Sequence, residues 1–318
     1  MKVLLSTEWA KTFYPKLYQR YPEVTFVEVY NSDDIAKEIV DAEVVFGYIN
    51  TEQFKAAAKL KWVQTLDAGM EPLFSQAPAI VNSDVTVTNA KGASAPQIGE
   101  HAVALILMFA RGLDQFWHMQ QEHRWGQEYG LSIVQMVRAK TVGIVGFGKS
   151  GLEVGRLCSA LGMNVLALDK HEVDGTPVVK EVWGTNRLGE LLEQSDYVVV
   201  TVPMTSENAG MIGAAELGLM RSTAYLIVTS RGRLVDHNAL VTALKAKEIA
   251  GAGLDVVVDE PLPPENELWD LKNVVITPHV AGNSPELEEW VFTIFEDNLQ
   301  RYMNRQPLLN VVDKQLGY

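Results

Sequence analysis

The chain has 318 residues, of which 47% are hydrophobic and 21% charged, and its 27 Lys and Arg against 40 Asp and Glu leave a net charge of −13. That length predicts two domains, and this much apolar material excludes a disordered chain or a small disulfide-stapled scaffold. The acidic balance repels phosphate backbones and argues against a nucleic-acid partner.

The chain opens Met1-Lys2-Val3-Leu4-Leu5-Ser6 and turns polar at once, without the apolar stretch of a signal peptide. Val3-Leu4-Leu5 reads as a strand, residues 8–20 as a helix, Val24 to Val29 as a second strand and 33–40 as a second helix. Val44-Val45-Phe46 and Trp62-Val63-Gln64-Thr65 repeat the theme, and the block ends near Val85 to Asn89. Strands alternating with helices predict right-handed βαβ units and a parallel sheet. A single long helix is expected over 95–123, with Ile98, Ala102, Leu105, Met108 and Phe109 on its apolar face. Within it lies the longest uncharged apolar run, 102–110, too short to span a bilayer.

A second block opens at Lys140-Thr141-Val142-Gly143-Ile144-Val145, with further strands expected at 164–168, 197–202, 224–228, 250–254 and 274–276 and a last helix at 285–303. The one cysteine, Cys158, cannot form an internal disulfide, which suits a reducing compartment. It sits in a helical, small-residue stretch and reads as a buried structural thiol rather than a nucleophile. A cytoplasmic protein with no membrane partner is expected.

Gly146-Phe147-Gly148-Lys149-Ser150-Gly151 is a G-x-G-x-x-G that directly follows the strand Thr141–Val145 and opens a helix over 152–161. That context predicts a dinucleotide site. Gly146 permits the tight turn, Gly148 lets a pyrophosphate reach the backbone, and Gly151 lets helix and strand pack closely, with the phosphates at the helix N-terminus. Eighteen residues after Gly151 stands Asp169, placed to accept from the adenosine ribose hydroxyls. A carboxylate there repels a 2′-phosphate, so NAD is expected over NADP. Lys170 and His171 beside it are cations that could still accommodate the phosphate.

Three later stretches stand where strands of this sheet end: Thr229-Ser230-Arg231-Gly232, Gly253 through Asp259-Glu260-Pro261, and Thr277-Pro278-His279-Val280-Ala281-Gly282. Ligands of open α/β sheets bind at that edge. An Arg, several acids and a His could thus converge where the nicotinamide would lie. Arg231 offers a planar fork suited to bidentate carboxylate binding. His279 offers an imidazole that can act as general acid or base. Glu260 beside it would fix the tautomer. Taken singly, Glu260 reads as a solvated turn residue and His279 as a structural histidine; convergence on one edge reverses that. The other five histidines, His101, His118, His123, His171 and His237, lack such a placement. No cluster has metal-ligand spacing, so no metal is expected.

Over essentially its whole length the chain resembles the D-isomer-specific 2-hydroxyacid dehydrogenase family. The resemblance rests on Gly99-Glu100-His101, Ala110-Arg111, the fingerprint, Val202-Pro203-Met204-Thr205, Arg231-Gly232, Gly253-Leu254-Asp255-Val256, Asp259-Glu260-Pro261-Leu262-Pro263 and Pro278-His279. It implies that Arg231, Glu260 and His279 form the catalytic set and that Asp255 contacts the nicotinamide amide. It places Phe147, Lys149, Ser150, Lys170, Val202, Pro203, Thr229 and Gly282 with the cofactor-binding residues. The segment Thr65-Leu66-Asp67-Ala68-Gly69-Met70-Glu71 aligns with a family loop that usually reads Gly-Ala-Gly-(Val)-Asp. The backbone N–H groups of Ala68 and Gly69 would then hold the substrate carboxylate. Here Asp67 replaces a glycine and Glu71 the usual Asp, so a negative side chain stands beside an anion site.

The implied architecture is α/β in two domains. Residues 97–285 would form a Rossmann dinucleotide-binding domain. Residues 1–96 and 286–318 would form a smaller, flavodoxin-like substrate domain, with a cleft between the two that closes over substrate. The family is usually dimeric through the cofactor domain, and the long helix with the aromatic-rich stretch Phe116 to Trp125 suits a homodimer. Because the chain ends at Tyr318 soon after the returning helix, no C-terminal regulatory domain is expected, which disfavours the long, serine-regulated phosphoglycerate dehydrogenases. The expected activity is NAD(H)-dependent interconversion of a small 2-keto acid and its D-2-hydroxy acid. The alternative is an NADH-sensing binding protein of the same fold with little turnover.

Overall fold

A computed structural model describes residues 1–317 other than Glu172, Asp174 and Ser206. The chain divides into two compact units, Met1–Ala93 with Ser284–Tyr318, and Ser94–Asn283.

Among the described residues the first unit holds five strands: β1 (Lys2–Leu5), β2 (Thr25–Glu28), β3 (Val44–Phe46), β4 (Trp62–Gln64) and β5 (Thr86–Thr88). They pair in the order β2-β1-β3-β4-β5, all parallel, which is the flavodoxin-like order. A parallel sheet is covered on both faces, so its strands are continuous apolar runs. One face packs Val3, Leu5, Val44, Phe46 and Trp62 under the helix Leu287–Met303. Phe295 of that helix stacks on Phe46 with ring centroids 4.2 Å apart. The other face carries Leu4, Val45 and Val63 against Ile35, Ile39 and Leu73.

The returning helix is also tied in by hydrogen bonds. Asn298, fully buried, donates to Gln64 Oε1 and to the Leu309 carbonyl and accepts from the Leu309 N–H. Gln64 Oε1 also accepts from Thr88, which accepts in turn from the Trp62 indole. Truncating one member of a buried network leaves its partners unsatisfied. Asn298→Ala is therefore expected to cost about 3 kcal/mol, read as a lowered urea midpoint; an unchanged midpoint would show that the network contributes nothing.

The second unit holds β6 (Thr141–Val145), β7 (Asn164–Asp169), β8 (Val182–Gly184), β9 (Tyr197–Val200), β10 (Tyr225–Val228), β11 (Gly251–Leu254) and β12 (Val274–Ile276). Their order is β12-β11-β10-β9-β6-β7-β8, again all parallel. This is the Rossmann winding with one strand added at the far edge, and the order reverses direction between β6 and β9. The short edge strand β8 carries no β-branched run and is not evident in the sequence. The two faces of the sheet bury separate clusters, one around Val198, Leu226 and Leu240, the other around Ile106, Val142 and Cys158.

The expected single helix over 95–123 is two. Ala95–Ala110 ends at Arg111, and Leu113–Gln121 begins after Gly112, whose φ of 61° is left-handed. That conformation breaks the helical hydrogen-bond ladder, and glycine adopts it at no steric cost. No helix among the described residues is long and apolar enough to cross a membrane.

Candidate active site

Because all seven strands of the second unit run parallel, their carboxyl ends share one edge. Gly146, Val202, Thr229, Asp255 and Thr277 each follow one of the strands β6, β9, β10, β11 and β12 on that edge.

The glycine-rich turn fits a dinucleotide. Gly146 has φ 96°, and a Cβ there would lie 2.8 Å from the Val202 nitrogen. A Cβ on Gly151 would lie 2.1 Å from the Gly146 carbonyl oxygen, so the helix Lys149–Ala160 can approach the strand this closely only with glycine there. A Cβ on Gly148 would meet nothing within 4 Å, so the turn is open just where a phosphate must approach. Thr229 Oγ1 is buried with no hydrogen-bond partner among the described residues, a polar atom that a ligand group can satisfy.

The Phe147 ring is part of the core, so only its backbone faces the turn. Its N–H donates to Asp169 Oδ2 at 2.8 Å, while Asp169 Oδ1 accepts from the His171 N–H at 2.9 Å. Lys170 pairs with Glu207 at 2.9 Å. Pro203 lies in a loop closed by Asn208, which donates to the Pro203 carbonyl and accepts from the Thr205 N–H. Gly282 packs on Ser94 and Ile98.

Glu260 and His279 meet directly: His279 Nδ1 lies 2.7 Å from Glu260 Oε2. Glu260 is itself aimed by the Val257 N–H, which donates to Oε1 at 3.1 Å. With Nδ1 committed to the carboxylate, Nε2 is the ring nitrogen that can exchange a proton with a substrate. Arg231 follows β10 in extended backbone, and its Nη1 donates to the Ser230 carbonyl at 2.8 Å.

His279 has φ 55°, in the left-handed region, which costs a residue with a Cβ about 1–2 kcal/mol. Asp255 supplies the restraint. It is buried, and its Oδ1 accepts from Thr277 Oγ1 at 2.6 Å and from the Val280 N–H at 3.0 Å. Its Oδ2 accepts from the Ala281 N–H at 2.9 Å, and its backbone carbonyl accepts from the His279 N–H at 2.8 Å. The carboxylate thus wraps the loop 277–281 around itself. Sequence spacing does not show this, nor the part of His101. That residue, set aside above with the unplaced histidines, has Nε2 3.0 Å from Thr277 Oγ1 across 176 residues of chain.

In the first unit the loop after β4 turns its carbonyls inward. The Asp67 carbonyl accepts from the Ala90 N–H at 3.0 Å and the Ala68 carbonyl from the Asn89 side chain at 2.7 Å. In a trans peptide the N–H points opposite to the carbonyl, so the amides of Ala68 and Gly69 face away from these partners. The Asp67 carboxylate accepts a hydrogen bond from the Tyr48 hydroxyl, and burial is the largest cause that pushes the Tyr48 hydroxyl up from its ordinary range, with Asp67 adding to it.

Cys158 is fully buried, which pushes its thiol up to about 12. A protonated, inaccessible thiol is inert. A disulfide reagent at pH 7.5 is expected to label no cysteine in the native chain and one per chain in denaturant; rapid native labelling would contradict that burial.

The family described as D-isomer specific 2-hydroxyacid dehydrogenase, NAD binding domain, matches residues 103–281. The chain belongs to this family. It stands with oxidoreductases that act on the CH–OH group of 2-hydroxy acids. Across 84% of its length the chain is 34% identical to a glyoxylate reductase of Korarchaeum cryptofilum, covering 80% of that protein. It is 30% identical to a D-3-phosphoglycerate dehydrogenase of Archaeoglobus fulgidus over 98% of its own length, but spans only 59% of that longer protein. Among solved structures, a D-isomer specific 2-hydroxyacid dehydrogenase from Xanthobacter autotrophicus Py2, in complex with NADPH and MES, superposes over the whole chain. Its TM-score is 0.85 at 25% identity, with 99% of that structure covered.

Proposed function

We propose that the chain is an NAD(H)-dependent reductase of small 2-keto acids that forms D-2-hydroxy acids. The observation that carries this reading is the His279–Glu260 pair, held on the same sheet edge as Arg231 and an open glycine-rich turn. When bound, the nicotinamide supplies a hydride to C2 of the keto acid. His279, through Nε2, gives its proton to the carbonyl oxygen in reduction and takes it back in oxidation, while Glu260 holds Nδ1 and so fixes the tautomer and orientation of the ring. Arg231 binds the substrate carboxylate through its fork. Gly146 through Gly151, Val202, Pro203, Thr229, Asp255 and Gly282 would hold the cofactor.

NAD is favoured over NADP because Asp169 presents a carboxylate at the ribose position and the charge of Lys170 is balanced by Glu207. A similar solved structure is in complex with NADPH, so the fold by itself does not exclude the phosphate.

The outward amides of Ala68 and Gly69 suit the substrate carboxylate. Asp67 beside them opposes an anion by about 1 kcal/mol at a solvated loop. Asp67→Asn, which keeps an acceptor for Tyr48, is therefore expected to lower the keto-acid KM about fivefold. A raised KM would show instead that Asp67 binds a substrate hydroxyl.

A homodimer through the second unit accounts for the exposed side chains of Trp117, Trp125, Leu131 and Met136, which are 61%, 90%, 77% and 69% accessible. Large apolar side chains left exposed along the one stretch 117–136 suit such an interface.

The test is initial rates with NADH and NADPH against glyoxylate, hydroxypyruvate, pyruvate, phenylpyruvate, branched-chain keto acids and oxaloacetate. NADH-linked turnover with one or more acids is the expected result. Tight NADH binding without turnover of any of them would establish the sensor reading instead.

A further inference from the structure

We propose that His101 is a positioning residue for His279, acting through Thr277 and Asp255. The chain of contacts fixes its own proton directions. Asp255 Oδ1, a carboxylate oxygen, can only accept, so the Thr277 hydroxyl 2.6 Å away donates to it. A hydroxyl has one proton. Thr277 Oγ1 must then accept from His101 Nε2, 3.0 Å away, and Nε2 carries a proton. The same Nε2 lies 3.7 Å from Asp255 Oδ1, within reach of its charge.

The consequence is local and directional. Asp255 is almost completely buried, so its negative charge must be met by donors. Thr277 supplies one, and the N–H groups of Val280 and Ala281, the two residues after His279, supply the others. These bonds hold His279 in its left-handed conformation with Nδ1 on Glu260. The His101 N–H fixes the Thr277 hydroxyl rotor toward Asp255. Without it, that hydroxyl is free to turn and the loop loses one of its restraints. A misplacement of the ring by a fraction of an ångström slows proton transfer without touching substrate or cofactor binding. His101 sits on the helix Ala95–Ala110, so this contact couples that helix to the catalytic loop within one unit.

The kinetic part of this inference rests on the dehydrogenase reading; the proton assignment does not. The first measurement is therefore nitrogen NMR of the full chain labelled at histidine, with the His101 ring identified by its loss in His101→Gln. The proposal requires Nε2 to be protonated at pH 7. A neutral ring with its proton on Nδ1 alone overturns it, whether or not any keto acid is turned over.

The second measurement compares variants. His101→Leu removes the donor and is expected to lower kcat about tenfold, with the keto-acid KM and the NADH Kd within twofold of the parent chain. His101→Gln places an amide N–H where Nε2 stands and is expected to restore kcat to within threefold. Thr277→Val should lose as much as His101→Leu, and serves in its place if the leucine variant does not fold. A kcat for His101→Leu within twofold of the parent, or equal losses in the leucine and glutamine variants, overturns the positioning role. Absence of turnover in the parent itself would instead count against the dehydrogenase reading, leaving the NMR result to decide the assignment of His101.

Discussion

Replacing His279 by alanine is expected to lower kcat for keto-acid reduction about a thousandfold while leaving NADH binding within twofold. The size follows from what is removed. A positioned general acid contributes between about a hundred- and ten thousand-fold. His279 is positioned on two sides, by Glu260 on Nδ1 and by a loop clamped to Asp255. Water can still protonate the carbonyl oxygen, which leaves a residual rate. Steady-state kinetics at saturating keto acid, with NADH affinity from fluorescence, separates the two effects. A variant that keeps a tenth of the parent kcat would remove His279 from the proton-transfer role.

Arg231→Lys is the second large effect expected, a fall in kcat/KM of about a hundredfold, equal to about 3 kcal/mol of lost transition-state stabilisation. Charge is conserved in this change, so Coulomb attraction alone predicts little. The guanidinium differs in being a planar fork. Here Nη1 donates to the Ser230 carbonyl, which orients the plane of the fork. A lysine ammonium cannot hold that carbonyl and grip a carboxylate with two parallel bonds. Both KM and kcat should suffer, because the same contact binds the substrate and orients its carbonyl. A lysine variant with parental kcat/KM would show that only the charge of Arg231 matters.

Much of this was legible in the sequence because of how parallel sheets are built. Strands covered on both faces must be apolar on both, so Val44-Val45-Phe46 and Tyr197-Val198-Val199-Val200 stand out as continuous runs. The strand β8 did not stand out, since an edge strand of three residues with partly exposed side chains carries little pattern. The helix break at Gly112 was missed for a related reason. The apolar periodicity continues past Arg111, and one glycine does not reveal that its φ is left-handed.

Within the candidate site, Gly146, Arg231, Glu260 and His279 are marked by short motifs, because the proposed chemistry needs those residue types in local context. What holds them is not local. The bond between His101 and Thr277 spans 176 residues, and the capture of the Val280 and Ala281 amides by Asp255 depends on how β11 and β12 lie side by side. No spacing along the chain encodes either. Asp67 is the reverse case. The sequence marks it as unusual, and the structure adds the Tyr48 hydroxyl that faces it.

The most direct measurement of the central claim is the stoichiometry of one reaction. The purified chain is mixed with NADH and glyoxylate, and both cofactor and organic acids are followed by proton NMR to completion. The account predicts that glycolate appears mole for mole with the NADH consumed, and that the rate of both changes falls about a thousandfold when His279 is replaced by alanine. Stable NADH with unchanged glyoxylate, repeated across the other keto acids and with the cofactor demonstrably bound, would contradict it.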